Sequence, residues 1–362
     1  MQVYYIAECN PNHNSAYLTH VIKMCDSFSR NFETEILLPF KTNNLNYKKI
    51  RNKYLLLSKS PLKISSLLNN SVSLSFLKRI LFSLKVAIFL KRKKENIILS
   101  RSIVSSFLLS IFRINHYLEI HNELRGFSKL IMIYLGFINS KYIIKRIFIS
   151  KKLESLFKTN KSNNLILHDG VEKKNFSLNK NKKKGKKKNV VYIGSFYKGR
   201  GLEVIKKLSR IYPQINFSVY GHRNEKISRD FLNNFNIYKY VNYNQVPKIL
   251  SKADILLMPY ENNVSINAKD LNTAQYCSPL KMFEYLASGK IIISNSLPGI
   301  SEILKDNTNS ILLNKINFYE LKKGIDLALK KDALYFNYFA RKRAEIFTWD
   351  NRVKKIIKDY FN

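Results

Sequence analysis

The sequence is poor in cysteine, glycine, proline, tryptophan and acidic residues. Its three cysteines, Cys9, Cys25 and Cys277, are odd in number and have the spacing of neither a disulfide framework nor a zinc site. This usage fits a reducing cytoplasm, and it predicts no metal cluster. Because 45% of the residues are hydrophobic and no long polar tract occurs, the composition is that of a globular protein and not of a disordered one.

Long uninterrupted apolar runs are also missing. A helix that spans a bilayer needs about 18 or more apolar residues, whereas Lys85 divides residues 76–94, and Lys141 and Lys145 divide residues 127–149. The first residues lack a basic region and reach Glu8 after a short apolar run, so they predict a strand and not a signal peptide. The sequence therefore predicts neither a transmembrane helix nor an export signal.

Residues 76–94 still have the pattern of a surface helix. Lys78, Lys85 and Arg92 recur every seven residues and leave a broad face of Leu, Ile and Phe. Two interpretations stay open for this face. The helix packs on its own sheet with a basic outer edge, or it docks on an anionic bilayer surface.

The shortage of acidic residues gives the chain an extreme charge. It has 63 Lys and Arg against 25 Asp and Glu, for a formal charge of +38. Such a charge predicts attraction to nucleic acid, anionic lipid or phosphorylated ligands, without choosing among them. An AT-rich coding sequence would supply part of the same excess, because Lys, Asn, Ile, Tyr and Phe are abundant while Gly, Pro, Ala and Trp are scarce.

Two domains are expected from a length of 362 residues. The clearest boundary is residues 172–189, where nine lysines occur from Lys173 to Lys188, and this segment predicts a solvated interdomain linker. Residues 1–171 would form the first domain and residues 190–345 the second. A final helix would occupy residues 346–362.

Strands and helices alternate on both sides of the predicted linker. Before it, the predicted elements are strands at residues 3–7, 33–39, 96–100, 116–121 and 146–150 and a helix at 16–29. After it, they are strands at 189–195, 215–221, around Val241, 254–260 and 290–296, and helices at 202–211, 246–253 and 280–288. This alternation predicts an α/β protein with two doubly wound, Rossmann-like domains. Ligands of such sheets bind beyond the carboxyl ends of the strands, so the two domains would face each other across a cleft.

The most informative segment is residues 278–290, SPLKMFEYLASGK, which opens a helix and leads into a buried strand. Pro279 at the start and Gly289 after the end are the usual punctuation of a helix. The free amides at a helix start attract a diphosphate, and Lys281 adds a full positive charge. Glu284, one turn later, can accept two hydrogen bonds from a ribose diol, although the same spacing is also that of a surface ion pair.

The longer segment SPLKMFEYLASGKIIISNSLPGISEIL, residues 278–304, resembles the donor-site helix and following strand of the GT-B fold glycosyltransferases of the family 4 type, the glycosyl transferases group 1. Further motifs follow in the family's order over nearly the whole chain. Residues 191–195 and 198–201 resemble the glycine-rich first turn of the donor domain, and residues 167–171 resemble the end of the acceptor domain. His121 matches a strand-end histidine that faces the cleft. Residues 347–350 resemble the start of the last helix, which in this fold crosses back to the first domain.

The resemblance implies a retaining transfer of a sugar from a nucleotide-diphosphate sugar without a bound metal, because a helix dipole and cationic side chains stabilise the leaving diphosphate. It implies His121, Arg200 and Lys281 as catalytic residues. The implied donor-binding residues are Gly194, Ser195, Lys198, Gly199, Arg200, Ser278, Pro279, Leu280, Lys281 and Glu284. The expected acceptor is a cell-surface glycan or a polyprenyl-linked sugar, used at the inner face of the cytoplasmic membrane.

One position departs from the family pattern. The family often has a second glutamate eight residues before Glu284, and this chain has Tyr276 there. Because that glutamate usually contacts hydroxyls of the donor sugar, its replacement leaves the sugar open. Asp270 and Thr273, in the loop before Tyr276, are candidates to take its place on the sugar side.

Two other classes compete with this interpretation. A nucleic-acid-binding or polyanion-binding protein agrees with the charge, but the sequence has no helix-turn-helix, RNP or zinc-finger pattern. A nucleotide-sugar epimerase of the GT-B fold would share the architecture, but it should have a fuller set of acid and base carboxylates in its cleft.

Overall fold

The computed structural model describes residues 1–42, 45–71, 73–93, 95–176, 187–221, 233–264 and 272–361. The chain divides into two compact units. The first unit comprises Met1–His168 and Trp349–Asn362, and the second comprises Asp169–Thr348. The last helix therefore belongs to the first unit, as predicted for this fold class.

The first unit contains a seven-stranded parallel sheet in the order β3-β2-β1-β4-β5-β6-β7. Its strands are β1 (Gln2–Ile6), β2 (Glu33–Phe40), β3 (Lys63–Asn70), β4 (Ile97–Ser100), β5 (His116–Ile120), β6 (Ile143–Phe148) and β7 (Asn164–Ile166). Its helices are α1 (Ala16–Phe28), α2 (Tyr47–Tyr54), α3 (Phe76–Lys91), α4 (Ile103–Ile111), α5 (Gly126–Lys129), α6 (Lys151–Glu154) and the final helix Trp349–Phe361. A π-helical turn at Leu130–Tyr134 continues α5.

The second unit contains a six-stranded sheet in the order β10-β9-β8-β11-β12-β13, with every pairing parallel. Its strands are β8 (Lys188–Ile193), β9 (Ile215–Tyr220), β10 (Phe235–Tyr238), β11 (Ile255–Met258), β12 (Ile291–Asn295) and β13 (Ile311–Leu313). Its helices are α7 (Leu202–Ile211), α8 (Val246–Ser251), α9 (Leu280–Ser288), α10 (Pro298–Ser301), α11 (Phe318–Lys330) and α12 (Ala333–Ile346), and the final helix is numbered α13.

Burial explains why these segments form parallel sheets. All residues of β5, β11 and β12 are buried, as expected for strands that are covered by helices on both faces.

Side-chain hydroxyls begin several of the helices, because an oxygen just before a helix accepts a hydrogen bond from an otherwise unpaired amide. Ser15 caps α1 through the amide of Leu18, and Ser150 caps α6 through the amide of Leu153.

The alternation of strands and helices is confirmed, but several local features differ. Val241 lies after β10 in no regular element, because the strand ends at Tyr238 and a 3₁₀ turn begins at Tyr243. The short strands β7 and β13 and the polar strand β3 were not predicted, because three residues, or an alternation rich in Ser and Asn, carry little periodic signal.

The Lys-rich segment 172–189 is partly structured at its two ends. Its residues 177–186 lie outside the described part of the chain. Before them, Phe176 is buried in the core of the second unit, and after them β8 begins at Lys188. Within the described residues, no helix is both long enough and apolar enough to cross a membrane.

Candidate active site

The second unit has its topological switch point between β8 and β11, the two neighbouring strands whose connections run to opposite sides of the sheet. In an open parallel sheet, the crevice at this point is the usual place of a ligand. The loop after β8 contains Gly194 to Gly201, and Tyr260 follows the end of β11. The predicted glycine-rich turn therefore lies where the topology favours a ligand.

The loop after β8 needs its glycines because it closely approaches the chain that follows β11. Gly199 has φ of +81° and Gly201 has φ of +68°, a region that favours glycine. A Cβ on Gly199 would overlap the carbonyl oxygen of Asn263, and the Gly199 carbonyl accepts a hydrogen bond of 3.0 Å from the Glu261 amide. The loop is thus held against the chain that follows β11.

Helix α9 is anchored so that its first turn faces the same loop. The hydroxyl of Tyr285 accepts a hydrogen bond of 3.0 Å from the Ile193 amide in β8, and it lies 3.4 Å from the Leu257 carbonyl in β11. Pro279 precedes the helix and provides no side-chain cap. The first amides of α9 are therefore available to an anion, and a Cβ on Gly194 would overlap Lys281 Nζ.

Two cations, Lys281 and Arg200, lie close to the ring of Tyr260 at this position. Lys281 Nζ is 4.3 Å from the centre of the Tyr192 ring and 5.3 Å from that of Tyr260, and Arg200 Cζ is 4.3 Å from the Tyr260 ring. Cation–π contacts of this kind offset part of the cost of burying a charge. Lys281 Nζ and Ser278 Oγ are both buried, and neither has a hydrogen-bond partner among the described residues.

The electrostatics of the pair favour an anionic ligand. Burial holds the pKa of Lys281 well below its usual range, the positive charge of Arg200 lowers it further, and Glu284 opposes them. Burial acts to lower the pKa of Arg200 as well, but Tyr260 and Tyr192 outweigh it and the pKa is raised. A bound diphosphate would relieve the repulsion between the two cations and would supply Lys281 with acceptors.

Glu284 lies one turn further along α9 and is 8% exposed. Its sequence spacing from Lys281 also allowed a surface ion pair, and burial excludes that interpretation. Burial first, and then the charge of Glu284, raises the pKa of both Tyr240 and Tyr243. The carboxylate therefore lies near two phenols that follow β10.

The other predicted donor residues differ in exposure. Ser195 is half-buried, and its carbonyl accepts a hydrogen bond of 2.7 Å from the Tyr192 hydroxyl. Lys198 is exposed, in contrast to Arg200. Pro279 and Leu280 are half-buried at the start of α9, so their backbone is what reaches the site.

On the predicted sugar side, the structure describes two of the three candidates. Asp270 lies outside the described residues. The Thr273 hydroxyl donates a hydrogen bond of 3.2 Å to the Val264 carbonyl, and Tyr276 is 1% exposed. The Thr273 side chain therefore ties the chain before α9 to Val264, and the Tyr276 side chain is packed in the interior.

His121 directly follows β5 and belongs to the first unit, whereas Arg200 and Lys281 belong to the second. It lies beside a buried charge cluster of the first unit, formed by Tyr5, His20, Glu119 and Arg352. His121 Nε2 is 3.4 Å from Glu119 Oε1, and its ring meets that of His20 edge to face. Burial and the charge of Arg101 lower the pKa of His121 to about 3, so its imidazole is neutral at pH 7.

Two members of the charge cluster form, together with His121, the only group of described side chains with metal-ligand character. His20, Glu119 and His121 each offer a ligand atom within 4.8 Å of the others. Arg352 already binds the Glu119 carboxylate, and Tyr5 binds its second oxygen. Although burial would raise the pKa of Glu119, His20 and Arg352 hold it well below its usual range, so the carboxylate is balanced by protein groups. This set fits an internal ion pair better than a cation site.

Sequence reasoning missed the tyrosines around the cations and the partners of His121. Tyr192 lies in an apolar strand and gave no signal of its own. The position of Tyr260 two residues after the buried strand β11 could have indicated it, because side chains at strand ends line the ligand crevice. His20 had no sequence neighbours with ligand spacing to single it out, and it is a buried member of the charge cluster.

Part of the chain matches a known protein family. Residues 173–343 match the family described as glycosyl transferases group 1. An uncharacterized glycosyltransferase of Haemophilus influenzae is 25% identical over 214 residues, which is 55% of this chain and 55% of that protein, so the match spans about half the length of that relative.

Two solved structures have the same fold at low identity. The Anabaena protein Alr3699/HepE in complex with UDP-glucose has a TM-score of 0.70 at 12% identity, covering 100% of this chain and 99% of that one. The lipopolysaccharide outer core galactosyltransferase WaaB has a TM-score of 0.69 at 13% identity, with the same coverage. The chain therefore has the GT-B fold, and its residues 173–343 match the glycosyl transferases group 1 family.

Proposed function

We propose that the protein transfers a sugar from a nucleoside-diphosphate sugar to a hydroxyl of a glycan or lipid-linked acceptor. The observation that carries this proposal is the pair of neighbouring cations, Arg200 and Lys281, beside the uncapped start of α9. Burying two like charges is costly unless an anion joins them. The solved structure of the fold-related HepE with UDP-glucose supports a nucleotide sugar as that anion.

The cations and the helix start would act on the leaving group. Negative charge develops on the diphosphate as the bond to the sugar breaks, and fixed positive groups at that position lower the barrier. Lys281 would donate to the diphosphate oxygens, Arg200 would neutralise them, and the α9 amides would add partial charge. These groups supply the stabilisation that a divalent cation provides in other phosphoryl sites, so we propose a reaction that needs no metal.

Glu284 would select a nucleoside diphosphate over inorganic pyrophosphate. A carboxylate can accept both hydroxyls of a ribose diol, and its burial makes these charge-assisted bonds stronger than they would be in water. Tyr240 is 46% exposed and lies near Glu284, so it would contact the nucleoside from its open side.

On the acceptor side we propose His121 as a neutral partner. With its pKa near 3, the imidazole would accept or donate a hydrogen bond without adding positive charge. The similarity of the fold to WaaB supports an acceptor in the cell envelope, such as a growing polysaccharide or lipopolysaccharide. The three free cysteines agree with a cytoplasmic reaction, and we carry over retention of the anomeric configuration from the family resemblance.

The test is a thermal-shift panel with UDP, GDP, ADP, CMP and pyrophosphate on the wild type and on Glu284→Ala. One nucleoside diphosphate should raise the Tm of the wild type more than pyrophosphate does, since a ligand that binds only the folded state stabilises it by mass action. In Glu284→Ala this advantage should disappear while the pyrophosphate shift remains. Glu203→Ala, which changes an exposed glutamate of α7, is the matched control.

Two results would contradict the proposal. If no nucleotide stabilises the wild type, the donor site is wrong. If Glu284→Ala keeps the full preference for one nucleoside diphosphate, the assignment of Glu284 to the ribose is wrong. With the preferred nucleotide known, transfer from its radiolabelled sugars to envelope extracts would identify the sugar, and NMR of the product would show whether the anomeric configuration is retained.

A further inference from the structure

Helix α3 of the first unit has two apolar faces, of which only one is covered. Phe82, Val86 and Leu90 recur every four residues and are buried against the sheet, with Leu90 1% exposed. A surface helix normally presents polar residues on its other side. In α3 the other side carries a second apolar row.

This second row, the outer stripe, consists of Leu77, Leu81, Leu84 and Ile88. The spacing of four, three and four residues places these side chains on one face of the helix. Leu77 is 76% exposed, Leu81 46% and Ile88 49%, and Leu84 is exposed as well. The outer stripe therefore presents a continuous apolar ridge to solvent.

The ridge continues onto a neighbouring segment. The ring of Phe76 meets that of Phe127 edge to face, with 4.6 Å between their centroids. Beyond Phe127, Leu130, Tyr134 and Leu135 are also exposed, Tyr134 by 69%. A patch built from two segments is more than the scattered exposed leucines that every protein has, and such patches mark interaction sites.

Every charge on α3 is positive. From residue 76 to residue 94 the sequence has seven Lys and Arg and no Asp or Glu. Arg79 is paired with Glu8, but Lys85, Lys91 and Arg92 are exposed and make no ion pair in the part of the chain that the structure describes. Lys85 and Arg92 border the outer stripe, and Lys91 continues it at the end of the helix.

We propose that the outer stripe and its bordering lysines dock this protein on the surface of an anionic lipid bilayer. An apolar ridge flanked by cations matches the interface of such a bilayer, where acyl chains lie below negative headgroups. A second copy of the chain fits less well, because pairing two outer stripes would bring Lys85 and its neighbours of both copies together. The same argument disfavours a basic protein partner.

This proposal rests on the first unit alone and is independent of the donor-site assignment. The experiment is sedimentation of the full chain with vesicles of equimolar phosphatidylglycerol and phosphatidylcholine, and with vesicles of phosphatidylcholine alone. The wild type should bind the anionic vesicles, lose most of that binding at high salt, and bind neutral vesicles weakly.

Two double variants separate the contribution of the apolar side chains to vesicle binding from that of the positive charges. Leu77→Gln with Leu81→Gln removes apolar side chains and should lower the partition coefficient about tenfold. Lys78→Glu with Lys85→Glu reverses two charges and should lower it about tenfold or more. The matched controls carry the same changes on exposed residues of the second unit, Leu329→Gln with Leu334→Gln and Lys207→Glu with Lys248→Glu, and should bind like the wild type.

Three outcomes would overturn the proposal. The first is a wild type that does not sediment with anionic vesicles at low salt. The second is an equal loss of binding in the controls, which would assign the effect to the overall charge. The third is a wild-type dimer in analytical ultracentrifugation that Leu77→Gln with Leu81→Gln converts to a monomer, which would assign the outer stripe to a second copy. Unchanged thermal unfolding of each variant establishes that it is folded.

Discussion

Lys281→Met separates the role of this lysine in ligand binding from any role in stability. Methionine has nearly the length of lysine and no charge, so it can fill the same space beside Tyr192 and Tyr260. In the folded protein without ligand, the ammonium is buried, lies next to Arg200 and has no hydrogen-bond partner. Removing it should therefore not weaken the fold.

We expect Lys281→Met to lower the affinity for the nucleotide and to leave the stability of the fold unchanged or increased. A hydrogen bond between a charged donor and a phosphate contributes about 1.5–3 kcal/mol, which corresponds to a loss of about 10- to 150-fold in the affinity for the nucleoside diphosphate. Replacing a buried charge with an apolar side chain of similar volume is often neutral or stabilising, and the lost cation–π contacts offset part of that gain. We therefore expect a Tm equal to or above that of the wild type.

The dependence on pH gives a second, independent signature. Because burial lowers the folded-state pKa of Lys281, the unfolded chain binds more protons between that pKa and about 10.5, so wild-type stability should rise with pH in this window. Nucleotide affinity should fall as pH rises through the lowered pKa, since the ammonium is then lost. In Lys281→Met both of these contributions should be absent.

The assays are isothermal titration calorimetry with the preferred nucleoside diphosphate and urea unfolding, each at several pH values. Lys207→Met, on the exposed face of α7, is the matched control and should change neither quantity. A variant that loses stability and keeps its nucleotide affinity would refute the reasoning, because Lys281 would then be a structural residue.

Three further substitutions test neighbouring features. Gly194→Ala places a Cβ on Lys281 Nζ and strains a backbone whose φ is +156°, so it should weaken nucleotide binding by calorimetry and also lower Tm. Gly199→Ala meets the backbone of Asn263 and should lower both Tm and affinity. Glu119→Gln should destabilise the protein to urea by about 3–5 kcal/mol at pH 7; since the pKa of Glu119 is depressed, this loss should shrink as pH falls below about 4.5.

The sequence determined the parts of the fold that depend on local pattern. Helices α7 and α9 have the predicted bounds, Leu202–Ile211 and Leu280–Ser288, because their apolar residues recur at helical spacing and glycine or proline borders them. The predicted strand around Val241 was wrong because the local pattern there is weak. A single β-branched residue between polar neighbours resembles a strand, but the chain there already turns toward α8.

The same distinction applies to the candidate site. Proline, lysine and glutamate at the start of α9 form one contiguous motif, so their proximity to each other follows from helical spacing alone. The environment that gives Lys281 its lowered pKa depends on Tyr192, Arg200 and Tyr260, which come from two strand ends and a loop. No local pattern places them together; the strand order β8-β11 does.

The charge cluster of the first unit is the feature that the sequence predicts least. Glu119 meets His20 from α1 and Arg352 from α13, residues separated from it by 99 and 233 positions. The final helix had been expected to return to the first unit on the basis of its first residues, but nothing in its pattern indicated that Arg352 would be buried. Because a buried guanidinium is costly without a partner, Arg352 and Glu119 each require the other. This mutual requirement gives the return of α13 an energetic basis that the motif alone did not supply.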